Sequence, residues 1–193
     1  IQKSKLKKVT LSVNYEKIVL EKDFFLSIGR FTKQKNFIFL FRFFKKIIDS
    51  DKEIKLVIAG NGEQEKQIRK FINQNNLSKN IILLGYVENI YSYFRNSRGF
   101  ILTSLWEDPG FVLVEAAYCR TPIMSSNAWP GPVELIKKDL NGIVFENNNF
   151  ESFLKEFKKF SEIKNHYKFK INNLNMSRKF TVFNHFKNLN KLI

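Results

Sequence analysis

The chain has 193 residues, 44% of them hydrophobic and 26% charged, with a formal net charge of +15. That balance excludes a disordered polymer and bounds the fold to one domain around a single core. No run approaches the roughly 20 apolar residues that span a bilayer, since the densest, Phe37 to Phe44, contains Arg42. Cys119 is the only cysteine, so no disulfide forms within the chain and a reducing, cytoplasmic setting is expected.

Charge is unevenly placed. Residues 51–150 hold 11 Lys and Arg against 11 Asp and Glu, whereas residues 1–50 hold 12 against 4 and residues 151–193 hold 10 against 3. Neither basic residues interleaved with aromatics nor a basic recognition helix is evident, so nucleic acid is not the expected partner. A lysine-rich compositional bias and a functional basic face both fit the two ends.

In chain order, residues 1–22 lack a period and read as a linker from an upstream domain, leaving 23–193 as the folded unit. Phe24 to Ile28 predicts a strand closed by Gly29, and Phe37 to Ile48 a buried helix. Lys55 to Ala59 predicts a strand, followed by a Gly60-Asn61-Gly62 turn and a charged helix from Glu63 to about Asn75. Strand Ile81 to Leu84 ends at Gly85, a short helix spans roughly Asn89 to Asn96, and Phe100 to Thr103 forms the next strand. A loop from Ser104 to Gly110 leads to a helix from Phe111 to Cys119, strand Pro122 to Ser125, a helix near Pro132, a last strand at Gly142 to Phe145, and two further helices. Strands alternating with helices, apolar on both faces, imply an α/β fold of Rossmann-like, doubly wound parallel form. Ligands in such sheets sit beyond the carboxyl ends of the strands, where the strand order reverses.

The unusual residues fall in those loops. In Trp106-Glu107-Asp108-Pro109-Gly110-Phe111-Val112-Leu113-Val114-Glu115, Gly110 opens a helix whose free N–H groups and dipole suit a phosphate. Glu115, about one turn in, has acceptors for the two hydroxyls of a ribose, and Glu107 on the loop reaches a sugar beyond the phosphates. Each is equally readable as a solvated charge. Gly29-Arg30-Phe31-Thr32-Lys33-Gln34-Lys35 places cations at a strand end, with Lys33 and Lys35 both open as the lysine concerned. Gly60-Asn61-Gly62 does not continue as a dinucleotide fingerprint, because Glu65 stands three after Gly62. His166 and His185 lie outside these loops and read as surface residues, no Cys/His cluster suggests a metal, and Cys119 reads as an inert small residue.

From Phe24 to Phe145 these features resemble, in order and spacing, the C-terminal half of the two-domain GT-B fold of retaining glycosyltransferases, in particular family 4. The resemblance implies that Arg30 and Lys35 hold a donor diphosphate with the N–H groups at Gly110 to Val112, and that Glu115 takes the ribose and Glu107 the sugar. Glu107, Arg30 and Lys35 are thereby the expected catalytic groups. Gly29, Gly60, Val87, Pro109, Gly110, Phe111, Val112 and Glu115 complete a nucleotide-sugar site, with the backbone at Gly85-Tyr86-Val87 meeting the base. Gly131-Pro132-Val133-Glu134 is implied as a wall of the same pocket.

The donor would be a nucleoside-diphosphate sugar, UDP or GDP, with no further cofactor and no metal. The acceptor would be a saccharide or lipid-linked molecule of polysaccharide, lipopolysaccharide or glycolipid biosynthesis, met mostly by a missing N-terminal domain. Basic closing helices from about Ser177 to Ile193 would pack toward that domain or rest on an anionic inner membrane face. A GT-B epimerase, a phosphorylase-like enzyme and a basic nucleic-acid binder are the alternatives. Arg120 stands where many family members carry Gly; a left-handed residue there would cost Arg about 1–2 kcal/mol, and a slightly different loop is expected instead.

Overall fold

The structure, a computed structural model, describes residues 23–162, 167–181, 184 and 190. The expected linker 1–22, His166, His185 and most of the closing stretch after Thr181 lie outside the described residues.

Among the described residues, six strands form one parallel sheet in the order β3-β2-β1-β4-β5-β6. They are β1 (Phe25–Ile28), β2 (Leu56–Ala59), β3 (Ile81–Gly85), β4 (Gly99–Leu102), β5 (Ile123–Ser126) and β6 (Ile143–Phe145). Register follows from apolar residues that need cover on both faces: Leu26 lies beside Val57 on one side and beside Phe100 on the other. The chain builds outward from β1 to β3, then returns to place β4 on the other flank of β1. That reversal opens a crevice at the carboxyl ends of β1 and β4.

Among the described residues, seven helices cover the two faces: α1 (Phe37–Ser50), α2 (Glu65–Gln74), α3 (Tyr91–Asn96), α4 (Phe111–Tyr118), α5 (Gly131–Leu135), α6 (Phe150–Glu162) and α7 (Tyr167–Ser177). The expected single core is two clusters, one under each face. The first is aromatic: α1 buries Phe37, Phe41, Phe43 and Phe44, and α6 meets them with Phe153, Phe157 and Phe160. Phe43 and Phe153 have ring centroids 4.0 Å apart in a tilted arrangement, and each such ring contributes roughly 1.5–3 kcal/mol by burial. The second cluster uses smaller groups, with Leu113, Ala116 and Ala117 of α4 against Leu26, Val57 and Leu102. Small residues let α4 sit close to the sheet, which fixes where its amino end emerges.

α4 ends in a Schellman motif, with Thr121 N–H donating to Ala116 C=O at 3.0 Å and Arg120 N–H to Ala117 C=O at 2.9 Å. Arg120 is left-handed at φ 59°. The expectation of an altered loop is therefore wrong: the motif is kept, and its two hydrogen bonds offset the strain of a side chain where glycine is favoured. α7 lies along α4, its Asn173 amide donating to Thr121 C=O at 2.9 Å.

Candidate active site at the strand ends

Beyond β1, β2 and β3 lies a cleft of about 320 Å³, lined by Ile28, Gly29, Arg30, Ala59, Gly60, Asn61, Tyr86, Val87 and Ile90. Its floor depends on backbone approaching backbone. A Cβ on Gly60 would stand 1.9 Å from Gly29 O, so any side chain there would push the two strand ends apart. The same segments are tied by Gly29 N–H to Ala59 C=O at 3.0 Å and Gly60 N–H to Gly85 C=O at 2.7 Å. Arg30 is exposed at the rim and has no carboxylate partner among the described residues. Tyr86, 78% exposed, stands over the opposite side. A volume of this order suits a nucleoside or a small ligand.

Next to the cleft, the turn Lys33–Lys35 is clamped onto the β4–α4 loop. Leu105 N–H donates to Gln34 C=O at 2.7 Å, the Gln34 amide to Trp106 C=O at 2.9 Å, and the Thr103 hydroxyl to Lys35 C=O at 3.0 Å. The Lys35 side chain runs across Gly29 and ends on Glu107, its ammonium donating to Oε1. Between the two lysines the structure thus selects Lys35 as the inward one, while Lys33 is exposed.

Glu107 is not the open loop charge that its position suggests. It is 5% exposed, and its Oε1 also accepts the Ser104 hydroxyl at 2.5 Å. Its backbone is fixed as well, with Gly131 N–H donating to Glu107 C=O at 2.9 Å. Pro109 joins the same contact, because a Cβ on Gly131 would lie 2.2 Å from Pro109 O. Gly110, at φ 79°, adopts a conformation that favours glycine and turns the chain into α4, where a Cβ on it would lie 3.7 Å from Glu107 Oε2.

The site residues expected from sequence divide into three groups. Gly29, Arg30, Gly60 and Val87 share the cleft. Lys35, Glu107, Pro109 and Gly110 form an adjoining wall through Gly29. Phe111, Val112 and Glu115 follow on α4 and do not line that cleft: Phe111 is 65% exposed, Val112 packs toward the second core cluster, and Glu115 is half-buried. Burial raises the Glu115 carboxyl above its ordinary value, since no ion pair compensates it among the described residues. Glu134, expected in a wall of the pocket, instead lines a separate hollow with Leu140, Met176 and Phe180. Burial likewise pushes the Cys119 thiol up, against the pull of Arg95.

Sequence reading gave no role to the side chains of Gln34, Ser104, Ser126 and Tyr86, although Tyr86 stands in the segment expected to meet the base through its backbone. Ser126 donates to Ser104 C=O at 2.7 Å and ties the β4–α4 loop to β5. Ser104 had a signal, a hydroxyl three residues before an acid in a loop, which is a common span for a local side-chain hydrogen bond.

The chain matches the family described as Glycosyl transferases group 1 over residues 12–175. It is 34% identical over 131 residues to an uncharacterized glycosyltransferase of Methanocaldococcus jannaschii, covering 68% of this chain and 32% of that protein. It is 31% identical over 143 residues to the N-acetylgalactosamine-N,N'-diacetylbacillosaminyl-diphospho-undecaprenol 4-alpha-N-acetylgalactosaminyltransferase of Campylobacter jejuni, covering 74% of this chain and 38% of that protein. Among solved structures, Anabaena HepE in complex with UDP and glucose superposes with a TM-score of 0.80 at 17% identity, over 93% of this chain and 50% of that one. The chain therefore spans about a third of the length of these curated relatives. A parallel sheet with its crevice between β1 and β4, and a match over most of the chain, lead to one assignment: the chain belongs to the glycosyl transferases group 1 family.

Proposed function

We propose that this chain is the donor-binding, C-terminal half of a GT-B retaining glycosyltransferase of family 4, moving a sugar from a nucleoside-diphosphate sugar to an acceptor. The observation that carries the reading is the continuity of Arg30, Gly29, Lys35, Glu107 and Gly110 along one edge of the sheet. In it the nucleoside occupies the cleft beside Val87, and the diphosphate lies between the Arg30 guanidinium, the Lys35 ammonium and the first-turn N–H groups of α4. As the glycosidic bond breaks, the leaving pyrophosphate gains negative charge, and fixed cations stabilise that state more than the ground state. Glu107 accepts a hydroxyl of the donor sugar and Glu115 the ribose hydroxyls.

The acceptor side is proposed to be supplied by an N-terminal domain. The exposed aromatics Tyr86, Trp106, Phe111 and Trp129 stand in the loops at the strand-end edge, where a covering domain would bury them. The relative that acts on a diphospho-undecaprenol-linked sugar supports a lipid-linked acceptor, which would place the enzyme at the cytoplasmic face of a membrane. The nucleotide is UDP or GDP, with the uridine nucleotide favoured by the UDP-bound neighbour.

A melting-temperature screen against UDP, GDP, ADP and their common sugars tests this. At a concentration a hundredfold above Kd the right nucleotide stabilises by about 2.7 kcal/mol, which for a chain of this size raises Tm by about 5–10 °C. Arg30→Ala and Glu115→Ala should each reduce that shift. No shift with any nucleotide, in this chain and in the longer protein containing it, would overturn the reading.

A further inference from the structure

We infer that Ser104 is a positioning residue for sugar recognition: its hydroxyl holds Glu107 Oε1 so that Oε2 is presented to the donor sugar. The inference rests on the donor-site reading above. Glu107 Oε1 carries two donors, the Ser104 hydroxyl and the Lys35 ammonium, whereas Oε2 lies on the Gly110 side with no partner among the described residues.

The two donors are not equivalent. Lysine is a point charge on a flexible stem with three N–H bonds to share, so a diphosphate drawn in beside it turns part of that charge away from Glu107. Ser104 is fully buried and has no such freedom: its own carbonyl accepts the hydroxyl of Ser126, also fully buried, at 2.7 Å. Once Lys35 serves the phosphates, the Ser104 bond is what keeps Oε1 occupied and the carboxylate plane fixed. Without it, Glu107 is free to swing after Lys35, and the sugar loses its acceptor while the nucleotide loses nothing.

Calorimetric titration of this chain with UDP and GDP, and with UDP-glucose, UDP-galactose, UDP-N-acetylglucosamine and GDP-mannose, tests this. For the tightest sugar donor, the ratio of its Kd to that of the free nucleotide should rise about tenfold in Ser104→Ala, with the free nucleotide unchanged within about twofold. Ser104→Cys, close in volume and a weaker donor, should give an intermediate ratio, and it serves as the decisive variant if Ser104→Ala does not fold. Equal weakening of nucleotide and sugar donor, or an unchanged ratio, would overturn the role of Ser104 alone. Failure of both the unsubstituted chain and a longer protein containing it to bind any of these ligands would overturn the donor reading and this inference with it.

Discussion

Two buried glutamates each have a lysine partner and spend their oxygens differently. Glu156, on α6, has Lys138 on Oε1 at 2.9 Å and Lys159 on Oε2 at 3.2 Å, so both oxygens are spent within the protein. Glu107 has both of its donors on one oxygen and the other on the Gly110 side. Burial and a lysine partner are common to both; the unspent oxygen is not. A carboxylate held this way is oriented in advance, so a ligand hydroxyl finds its acceptor without waiting for a side chain to rearrange.

The comparison breaks most sharply in catalysis. On the proposed function, in a protein that joins this chain to an acceptor half, Glu107→Gln should lower the rate of sugar transfer by about 10²–10³-fold, the scale of losing one preorganised polar contact to the transition state. Glu156→Gln should leave that rate within about twofold. Steady-state rates of both variants decide it, and a comparable loss at Glu156 would erase the distinction.

Stability gives a smaller, opposite contrast. Because its two lysines are half exposed, Glu156→Gln should cost about 1 kcal/mol, a fall in Tm of about 2–4 °C by calorimetry, with nucleotide-induced stabilisation intact.

A third acid, Glu115, has neither lysine nor spare geometry of this kind, and its signature is in pH. Its pKa is raised in the fold by burial, so the native state binds its proton more tightly than the unfolded chain does. That contribution is fully present below the ordinary value of 4.5 and is lost as pH rises through the higher folded value. Glu115→Gln should therefore flatten the decline of chemical-denaturation stability above pH 4.5, and an unchanged pH slope would show that the carboxylate is fully hydrated.

Nearly all of the architecture was legible in the residues. Each of the first five strands was an apolar run closed by Gly, Ser or Thr, and the structure moves the ends of all six by only a residue or two. α2 starts at Glu65 rather than Glu63 because Glu65 N–H first closes a turn onto Gly62 C=O. The site was legible as a set of loops but not as a set of contacts. Nothing local distinguishes Lys33 from Lys35, since the choice is made by the 3-10 turn that aims one at Glu107 and the other at solvent. Nor does sequence show that Glu107 is buried, because the groups that hold it include Lys35 of the 3-10 turn and Trp129 and Gly131 at the start of α5, all remote along the chain. Arg120 failed for a different reason. The residue type argued against a left-handed turn, and the helix end, held by two backbone hydrogen bonds, overrode it.

The cleft borrows its sides from three strands, Arg30 following β1, Gly60 following β2 and Val87 following β3, and the wall beside it is tied by Ser104, after β4, to Ser126 of β5. Remote stretches of chain must all be zipped together before any hollow exists. On the proposed function, a partly assembled chain has nothing with which to grip a nucleotide, and a bound donor would act as a selective brace on the completed sheet.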